Sequence, residues 1–324
     1  MTIIIHDFEK ENWQDTRVKY SLGPFLGGSE APIVGGHASH TSPTTLMERK
    51  KGREEYPDLS DNIAVQRGIS MEPIILDEVA KILDVEIYKP NCMLLHEEYP
   101  WMIANYDGVT EDGWLVEIKT TSSRVKIDYA KEDMLTPDYL AQGDHYLWFN
   151  QFDGCPNPGE EFKGVIFAIC YHVHSPPILI RVPRIDRWTG GEMATLLAAE
   201  EDFIRMFNDN EMPDLDGHES TFQTLKSKYT MGDDVRDPTE QQSQWHRVYK
   251  EANKIALEQK KIASEARNRL RDSMGSNIKK VYGVCSLYTQ DSFSKKLLTE
   301  KLKSHKLDHL IDESCTEIVK FRVN

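Results

Sequence analysis

Two carboxylates and one lysine are spaced for phosphate chemistry in a single short stretch, Asn105-Tyr-Asp-Gly-Val-Thr-Glu-Asp-Gly-Trp-Leu-Val-Glu-Ile-Lys119. Asp107 and Glu117 supply the oxygen ligands that hard divalent cations prefer, and Lys119 can lie beside an attacking water. A metal held in this way makes hydroxide available near neutral pH and neutralises the charge that develops on a phosphodiester. The stretch therefore predicts a metal-dependent phosphodiesterase site.

The prediction depends on how two strands pair. Residues 101–121 are predicted to form two strands joined by the three-residue loop 111–113, which ends in a left-handed glycine. In that register Asp107 lies opposite Glu117, with Cβ atoms ~5 Å apart. Lys119 shares their face because side chains alternate along a strand. A two-residue loop would instead put the two carboxylates on opposite faces of the sheet.

Glu-x-Lys is a weak motif when it stands alone. It occurs four times in the chain, at Glu48/Lys50, Glu117/Lys119, Glu161/Lys163 and Glu258/Lys260. Only the second lies in a predicted strand with an aspartate at hairpin spacing upstream. A cross-strand ion pair on a solvated face would leave a similar pattern, so the residues of this segment alone support both interpretations.

A helix predicted over residues 63–84 carries a further carboxylate. In helical projection Glu72 falls on the face formed by Ile75, Leu76, Val79 and Leu83. A carboxylate on an apolar face needs a partner, because burying an unpaired charge is costly. A metal site would provide that partner. The alternative is that Glu72, just before Pro73, caps the start of a helix.

A second predicted helix opens at Pro137 and runs to about residue 150. Tyr139 and Gln142 lie three residues apart and share one face of it. An amide and a phenol on that face could hold a phosphate or a water molecule. From the residues alone, a helix that packs Leu140, Tyr146, Leu147 and Trp148 inward explains the pattern equally well.

The composition excludes several classes of protein. The chain has 324 residues, of which 39% are hydrophobic and 28% charged, enough for one large core with an appended module. No apolar run approaches the ~20 residues of a membrane span, and the first residues do not resemble a signal peptide. The five cysteines form no Cys-x-x-Cys motif, which indicates a reducing cytoplasm and argues against a zinc ribbon or a clustered iron–sulfur site.

The net charge of −14, taken alone, disfavours nucleic-acid binding. Basic residues are nevertheless concentrated in Arg49-Lys50-Lys51-x-Arg53 and in residues 246–280. An acidic protein can still hold DNA in a locally basic channel. The alternative interpretation of residues 246–280 is that their charges lie on a solvated helix face. The chain has no Walker-type loop, no dinucleotide-binding GxGxxG and no GxSxG elbow, so nucleotide hydrolysis, hydride transfer and serine esterase chemistry lose support.

Strands and helices alternate along the first two thirds of the chain, which predicts an α/β core. Strands are predicted near 86–95, 101–121, 162–171 and 178–182, and helices over 43–51, 63–84, 137–150 and 187–208. Ser42 and Pro43 are typical of a helix start. After a polar loop, residues 237–274 are strongly helix-forming, and the tail 281–324 reads as strand, helix and strand. We therefore expect a core over residues 1–215 and a mainly helical extension over 216–324.

Several segments, taken in order, resemble a known family. They are Gly27-Gly-Ser-Glu-Ala-Pro-Ile-Val-Gly-Gly, Ser42-Pro-Thr-Thr-Leu-Met-Glu-Arg-Lys-Lys-Gly, Arg67-Gly-x-x-x-Glu72-Pro, Tyr106-Asp107-Gly-Val with Val116-Glu117-Ile-Lys119-Thr-Thr, and Tyr139-x-x-Gln142-x-x-His145-x-Leu147. The set resembles the YqaJ-type viral recombinase or lambda exonuclease family of the PD-(D/E)XK nuclease superfamily, over about residues 20–215. Two positions depart from the family pattern: Asp144 stands where a second glutamine is common, and Tyr106 where a proline often precedes the aspartate.

The resemblance implies a PD-(D/E)XK restriction-endonuclease-like core, a central mixed sheet flanked by helices, and a role for each matching residue. The implied metal ligands are Asp107, Glu117, the carbonyl of Ile118 and Glu72. Lys119 would orient or activate the water. Gln142 and Tyr139 would steady the substrate, and Ser29 would contact a backbone phosphate.

The resemblance further implies a 5′-to-3′ exonuclease that degrades one strand of linear duplex DNA for phage-type recombination. It implies one or two Mg²⁺ ions, with Mn²⁺ able to substitute, double-stranded DNA ends as substrate, a trimeric ring, a single-strand annealing protein as partner, and the cytoplasm of a bacterial host. The alternatives are a structure-specific or single-strand nuclease on the same core, and an inactive DNA-binding scaffold. Retention of Asp107, Glu117 and Lys119 counts against the scaffold.

Overall fold

The structure is a computed structural model. It describes residues 2–7, residues 19–229 except 39, 91, 153, 154 and 173, and residues 236–323 except 277, 279, 282–284 and 294–314. The chain divides into two compact units, Met1–Met231 and Gly232–Asn324. No helix among the described residues is long and apolar enough to cross a membrane.

The first unit contains nine strands and eight helices among its described elements. The strands are β1 (Thr2–Asp7), β2 (Leu26–Gly27), β3 (Ile87–Tyr88), β4 (Cys92–His96), β5 (Met102–Ala104), β6 (Gly108–Thr110), β7 (Trp114–Thr120), β8 (Gly164–Cys170) and β9 (Ile178–Pro183). The helices are α1 (Ala31–Val34), α2 (Pro43–Lys50), α3 (Ile63–Leu83), α4 (Arg124–Lys131), α5 (Pro137–Tyr146), α6 (Arg184–Thr189), α7 (Glu192–Asn208) and α8 (Glu219–Lys228).

A five-stranded mixed sheet of order β3-β6-β7-β8-β9 lies at the centre of this unit. Strands β7 and β8 are parallel, and the other neighbours are antiparallel. A four-stranded sheet, β1-β4-β5-β2, accompanies it. Every residue of β8 is buried, as expected for a central strand that is covered on both faces.

Helices cover both faces of the five-stranded sheet. On one face, Val116 and Ile118 pack with Ile75 and Val79 of α3. On the other, Leu115 belongs to the larger core, together with aromatic residues of α5 and Phe167 of β8. This alternation is the two-residue period of a strand with helices on both sides. The structure therefore confirms the predicted α/β core with a central mixed sheet flanked by helices.

Helix ends follow the chemistry of their sequences. The side chain of Ser42 accepts a hydrogen bond from the backbone N–H of Thr45 at 3.1 Å, which caps α2 as predicted. Asn62 caps α3 in the same way, through the backbone N–H of Ala64 at 2.9 Å. Because α3 begins at Ile63, Pro73 lies inside the helix. Glu72 therefore does not cap a helix start, and that alternative was wrong.

Some element boundaries differ from the predictions. The helix predicted over 187–208 is two helices, α6 and α7, because the chain turns at Gly190-Gly191, where Gly191 has a φ of 81°. Two helices, α4 and α8, were not predicted. Helix α8 packs against α2: Ser220 and Thr224 share hydrogen bonds with Thr45, at 3.0 and 2.9 Å. The first unit accordingly runs past α8 to Met231.

The second unit consists of the long helix α9 (Glu240–Ser273) and the strands β10 (Lys280–Val281), β11 (Cys285–Phe293) and β12 (Cys315–Val323). The strands form one antiparallel sheet of order β10-β11-β12. The helix predicted within the tail would fall on residues 294–314, which lie outside the described residues.

Replacing Ile75 tests the packing of α3 on the sheet. The Ile75 side chain is fully buried, whereas its neighbour Ile74 is 52% exposed. We expect Ile75→Ala to lower the free energy of unfolding by about 2–5 kcal/mol, because it removes buried methyl groups and leaves a cavity. Ile74→Ala is the matched control, with an expected effect within about 0.5 kcal/mol. Urea denaturation measures both, and equal losses would contradict the layer arrangement.

Candidate active site

The β6–β7 hairpin has the predicted register. Gly108 pairs with Val116 and Val109 with Leu115. Continuing this register by one residue places Asp107 opposite Glu117. The turn closes through a hydrogen bond from the backbone N–H of Gly113 to the carbonyl of Thr110 at 2.9 Å. Gly113 has a φ of 89°, a conformation that favours glycine. The three-residue loop with a left-handed glycine is therefore confirmed.

A hydrogen-bonded network joins Glu117, Lys119 and Gln142. Lys119 Nζ lies 2.6 Å from Glu117 Oε1 and donates to Gln142 Oε1 at 2.7 Å. Gln142 Nε2 donates to the same Glu117 oxygen at 2.7 Å. A lysine only donates and a carboxylate only accepts, so the two partners fix the orientation of the glutamine amide between them. All three side chains lie on the α5 face of the sheet.

Asp107, which directly precedes β6, is hydrogen-bonded to the backbone of β7. Its Oδ2 accepts the backbone N–H of Ile118 at 2.7 Å. Burial, followed by the charge of nearby Glu117, raises the pKa of Asp107 well above its ordinary value, despite the opposing effect of the Ile118 N–H. Two carboxylates thus lie close together where water is scarce. Such a pair is stabilised by a cation.

Lys119 remains a cation in this setting. Burial lowers its pKa, but the Coulombic attraction and hydrogen bond of Glu117 outweigh burial and leave the pKa of Lys119 above its ordinary value. At neutral pH the ammonium group therefore keeps its proton. It can donate hydrogen bonds and offset negative charge.

The carboxylates face a pocket of about 250 Å³. Asp107, Glu117 and Ile118 line it from the sheet, and Gly68, Ile69 and Glu72 line it from α3. The hydrogen bonds of Glu117 go to Oε1 and that of Asp107 to Oδ2. One oxygen of each carboxylate therefore remains for another ligand.

These donors fit a hard divalent cation, which takes oxygen ligands and retains several waters. Glu72 lines the same pocket, and its Oε1 lies 2.6 Å from Lys89 Nζ in an ion pair. The described part of the chain contains no group of three or more His, Cys, Asp or Glu residues arranged to hold a metal. The oxygen donors that fit are those of Asp107 and Glu117 beside the carbonyl of Ile118.

The region that holds this site matches a known family model. The sequence model of the YqaJ-like viral recombinase domain matches residues 12–153, a range that contains all the predicted site residues. The YqaJ protein of Bacillus subtilis (strain 168) is 23% identical over 259 residues, which cover 76% of each chain.

Two solved structures are also similar to the chain. The alkaline exonuclease LHK-Exo of Laribacter hongkongensis matches with a TM-score of 0.41 and 17% identity, over 58% of this chain and 93% of that one. The structure of LHK-Exo in complex with dAMP matches with a TM-score of 0.40 and 20% identity, over 63% and 93% of the respective chains.

The predicted substrate-contact residues flank the network. The ring of Tyr139 lies under two ammonium groups, 5.4 Å from Lys119 Nζ and 3.8 Å from Lys126 Nζ. Ser29 is exposed in the turn before α1. Its neighbour Gly28 is so close to Tyr146 that a Cβ atom there would lie 2.4 Å from the ring. Tyr146 in turn accepts a hydrogen bond from Gln142 at 3.0 Å, which links the Ser29 turn to the network.

Three residues of the site were missed from the sequence. Tyr146 lies four residues after Gln142, a spacing that puts both on one helical face and could have revealed it. Lys126 belongs to α4, which was not predicted. Lys89 reaches Glu72 across 17 positions of the chain, and no local pattern signals such a contact.

The position that departs from the family pattern has its own partner. Asp144 is buried and receives two hydrogen bonds from Arg187 of α6, at 2.8 and 2.6 Å. Burial raises the pKa of Asp144, although Arg187 opposes that effect. The Arg187 guanidinium therefore offsets the negative charge of this buried carboxylate.

The early basic cluster, residues 49–53, is used largely inside the protein. Lys50 Nζ is buried and lies 2.8 Å from Glu30 Oε2. Arg49 pairs with Glu54 at 3.0 Å. The charges of Lys50 and Arg49 therefore support packing within the first unit.

The pH dependence of stability tests the fully buried pair of His145 and Glu200. His145 Nδ1 lies 2.8 Å from Glu200 Oε1, and Nε2 lies 3.0 Å from the carbonyl of Ile103. Burial lowers the pKa of His145, but Glu200 and the Ile103 carbonyl outweigh burial and raise it above 6.5. The resulting stabilisation is complete below pH 6.5 and is lost as the pH rises through the folded-state pKa.

We expect the stability of the wild type, relative to the uncharged double variant His145→Gln/Glu200→Gln, to be greatest below pH 6.5. Above that pH it should fall by up to about 1.4 kcal/mol per unit until the histidine has lost its proton in the folded state. Urea denaturation between pH 6 and 9 measures the difference. A constant difference across this range would show that the pKa of His145 is the same in the folded and unfolded states, which contradicts the raised pKa.

Proposed function

We propose that this protein is a metal-dependent DNA nuclease that digests one strand of linear duplex DNA from the 5′ end. The observation that carries the proposal is that two carboxylates, Asp107 and Glu117, line one pocket and that Lys119 lies 2.6 Å from Glu117 Oε1. The YqaJ-like viral recombinase domain around this pocket supports a role in recombination. Mg²⁺ is the proposed ion, in one or two copies, and Mn²⁺ would substitute.

The residues have distinct proposed roles. Asp107, Glu117 and the Ile118 carbonyl would hold the ion, and Glu72 would assist through water once freed from Lys89. A bound divalent cation supplies hydroxide at neutral pH and neutralises charge on the scissile phosphate. Lys119 places a fixed positive charge beside that phosphate, where negative charge grows in the transition state.

The neighbouring residues prepare Lys119 for this role. Gln142 holds its ammonium group through a 2.7 Å hydrogen bond, so its position is set before substrate arrives. Preorganised charge of this kind needs no rearrangement during the reaction. Tyr139 would steady the substrate and Ser29 would contact a backbone phosphate of the entering strand. Assembly into a trimeric ring, a single-strand annealing protein as partner, and action in the cytoplasm of a bacterial host of a phage or prophage all remain part of the proposal.

A digestion assay tests the nuclease. Linear duplex DNA labelled at either the 5′ or the 3′ end is incubated with Mg²⁺ or with EDTA. We expect Mg²⁺-dependent release that starts at 5′ ends, and a rate at least about 100-fold lower for Lys119→Ala and Glu117→Ala, because each removes electrostatic support for the reaction. The exposed Glu161/Lys163 motif provides matched controls, since Glu161→Ala and Lys163→Ala should retain the wild-type rate.

Each contrary outcome points to a specific alternative. Full activity in both Lys119→Ala and Glu117→Ala would refute the assigned site. Digestion of single-stranded or branched DNA without attack on linear duplex ends would support a structure-specific nuclease on the same core. Binding to DNA ends without any cleavage in Mg²⁺ or Mn²⁺ would support an inactive scaffold.

A further inference from the structure

Helix α9 is 34 residues long and buries none of its residues. It begins with a capping box, in which Thr239 Oγ1 accepts the N–H of Gln242 at 3.2 Å and Gln242 Oε1 accepts the N–H of Thr239 at 2.9 Å. Helices in proteins gain most of their stability from packing an apolar face. A long, well-started helix with no covered face therefore indicates a surface that is used for contact.

The apolar residues of α9 follow a seven-residue repeat. Positions spaced alternately by three and four residues carry Trp245, Val248, Ala252, Ile255, Ile262 and Ala266. Gln259 is the polar residue within this run, and the run ends at Ala266 because the next position is Arg269. The column beside them carries Tyr249, Ala256, Ala263 and Leu270. Trp245, Ile255 and Ile262 are 66%, 51% and 60% exposed. Such a repeat forms the seam along which helices coil around one another.

Charges of opposite sign flank this apolar stripe. On one side lies an acidic column, Glu251, Glu258 and Glu265, and on the other a basic column that includes Lys260 and Arg267. When two copies of such a helix pair in parallel, the acidic side of each faces the basic side of the other. When they pair antiparallel, acidic faces acidic and basic faces basic. Only the parallel arrangement is electrostatically complementary.

We propose that α9 associates with α9 of a second copy of this chain, parallel and in register. Glu258 and Lys260 differ by only two positions, about 3 Å along the axis, so in-register copies bring these opposite charges to nearly the same level. Glu265 and Arg267 repeat the relation one heptad later, where Glu265 also pairs with Arg269 of its own helix at 2.6 Å. The surface joins copies of the chain independently of the chemistry proposed for the first unit.

Engineered cysteines in the full-length protein test both contact and direction. Ala252→Cys and Ala266→Cys lie in the stripe near opposite ends of α9. We expect disulfide formation between two copies at 252 and between two copies at 266, identified by mass spectrometry of the joined peptides. A mixture of the two variants should give no 252-to-266 product. The chain without engineered cysteines is the control for the native thiols.

A second substitution in the same background distinguishes a real seam from random collision. Ile255→Glu/Ile262→Glu places charge in the stripe and should lower the cross-linked fraction at least about tenfold, a change of about 1.4 kcal/mol in association. Leu257 is 68% exposed but lies on the opposite side of α9, so Leu257→Glu is the matched control and should change nothing. No cross-link, a 252-to-266 cross-link, or equal sensitivity to both variants would overturn the proposal.

The charge columns provide an independent check by sedimentation velocity. Glu258→Lys/Glu265→Lys and Lys260→Glu/Arg267→Glu each leave like charges on both flanks, so each variant alone should associate more weakly than the wild type. Mixing them restores opposite charges across the seam and should restore association. Failure of the mixture to recover would exclude the proposed pairing of acidic and basic columns.

Discussion

The candidate site depends on one electrostatic constraint: two carboxylates, Asp107 and Glu117, share a poorly solvated corner of the protein with one lysine. Lys119 and Gln142 both bind Glu117 Oε1, while Asp107 receives only a backbone N–H. The chain therefore neutralises one of the two carboxylates by its own means. The pKa of Asp107 is raised, mainly by its burial and then by the charge of Glu117, because the negative charge of the pair is only partly compensated. A divalent cation would neutralise the remaining charge.

The surrounding fold holds that arrangement in place through rigid elements. The hairpin register, closed at Gly113, puts the carboxylates at one level, and the parallel neighbour β8 buries the strand that carries Glu117 and Lys119. Helix α5 approaches the sheet closely because Gly143 lies against Phe167, where a Cβ atom would come within 3.1 Å of the ring. That approach brings Gln142 within hydrogen-bonding distance of Lys119. Sites built on strands and helices keep their geometry better than sites on loops.

Local chemistry made much of the site predictable from sequence. A three-residue turn with a left-handed glycine fixes the register of its hairpin, so the proximity of Asp107 and Glu117 followed from the positions of the turn residues. Alternation along β7 likewise gave the side on which Lys119 lies. Helical spacing placed Tyr139 and Gln142 on one face, although it could not show that this face met Lys119.

Long-range pairing was not predictable, because no sequence period encodes which distant charges meet. The Glu72–Lys89 ion pair, the Asp144–Arg187 pair and the burial of Lys50 against Glu30 all join separate elements. Helical projection and the family resemblance pointed to Glu72, but neither could show that Lys89 is its partner in the structure. The boundary between α6 and α7 was not predicted either, because the break between these helices depends on the conformation of one residue, Gly191.

The most direct test of the central claim is to locate the metal. Crystals of the protein grown with Mn²⁺ and measured near the manganese absorption edge would show the ion by its anomalous signal. The account predicts a peak bounded by Asp107, Glu117 and the carbonyl of Ile118, at the ~2.0–2.2 Å distances of oxygen ligands to small divalent cations, and its loss in Asp107→Asn. A peak bound by other residues, or a peak at this site that persists in Asp107→Asn, would contradict it.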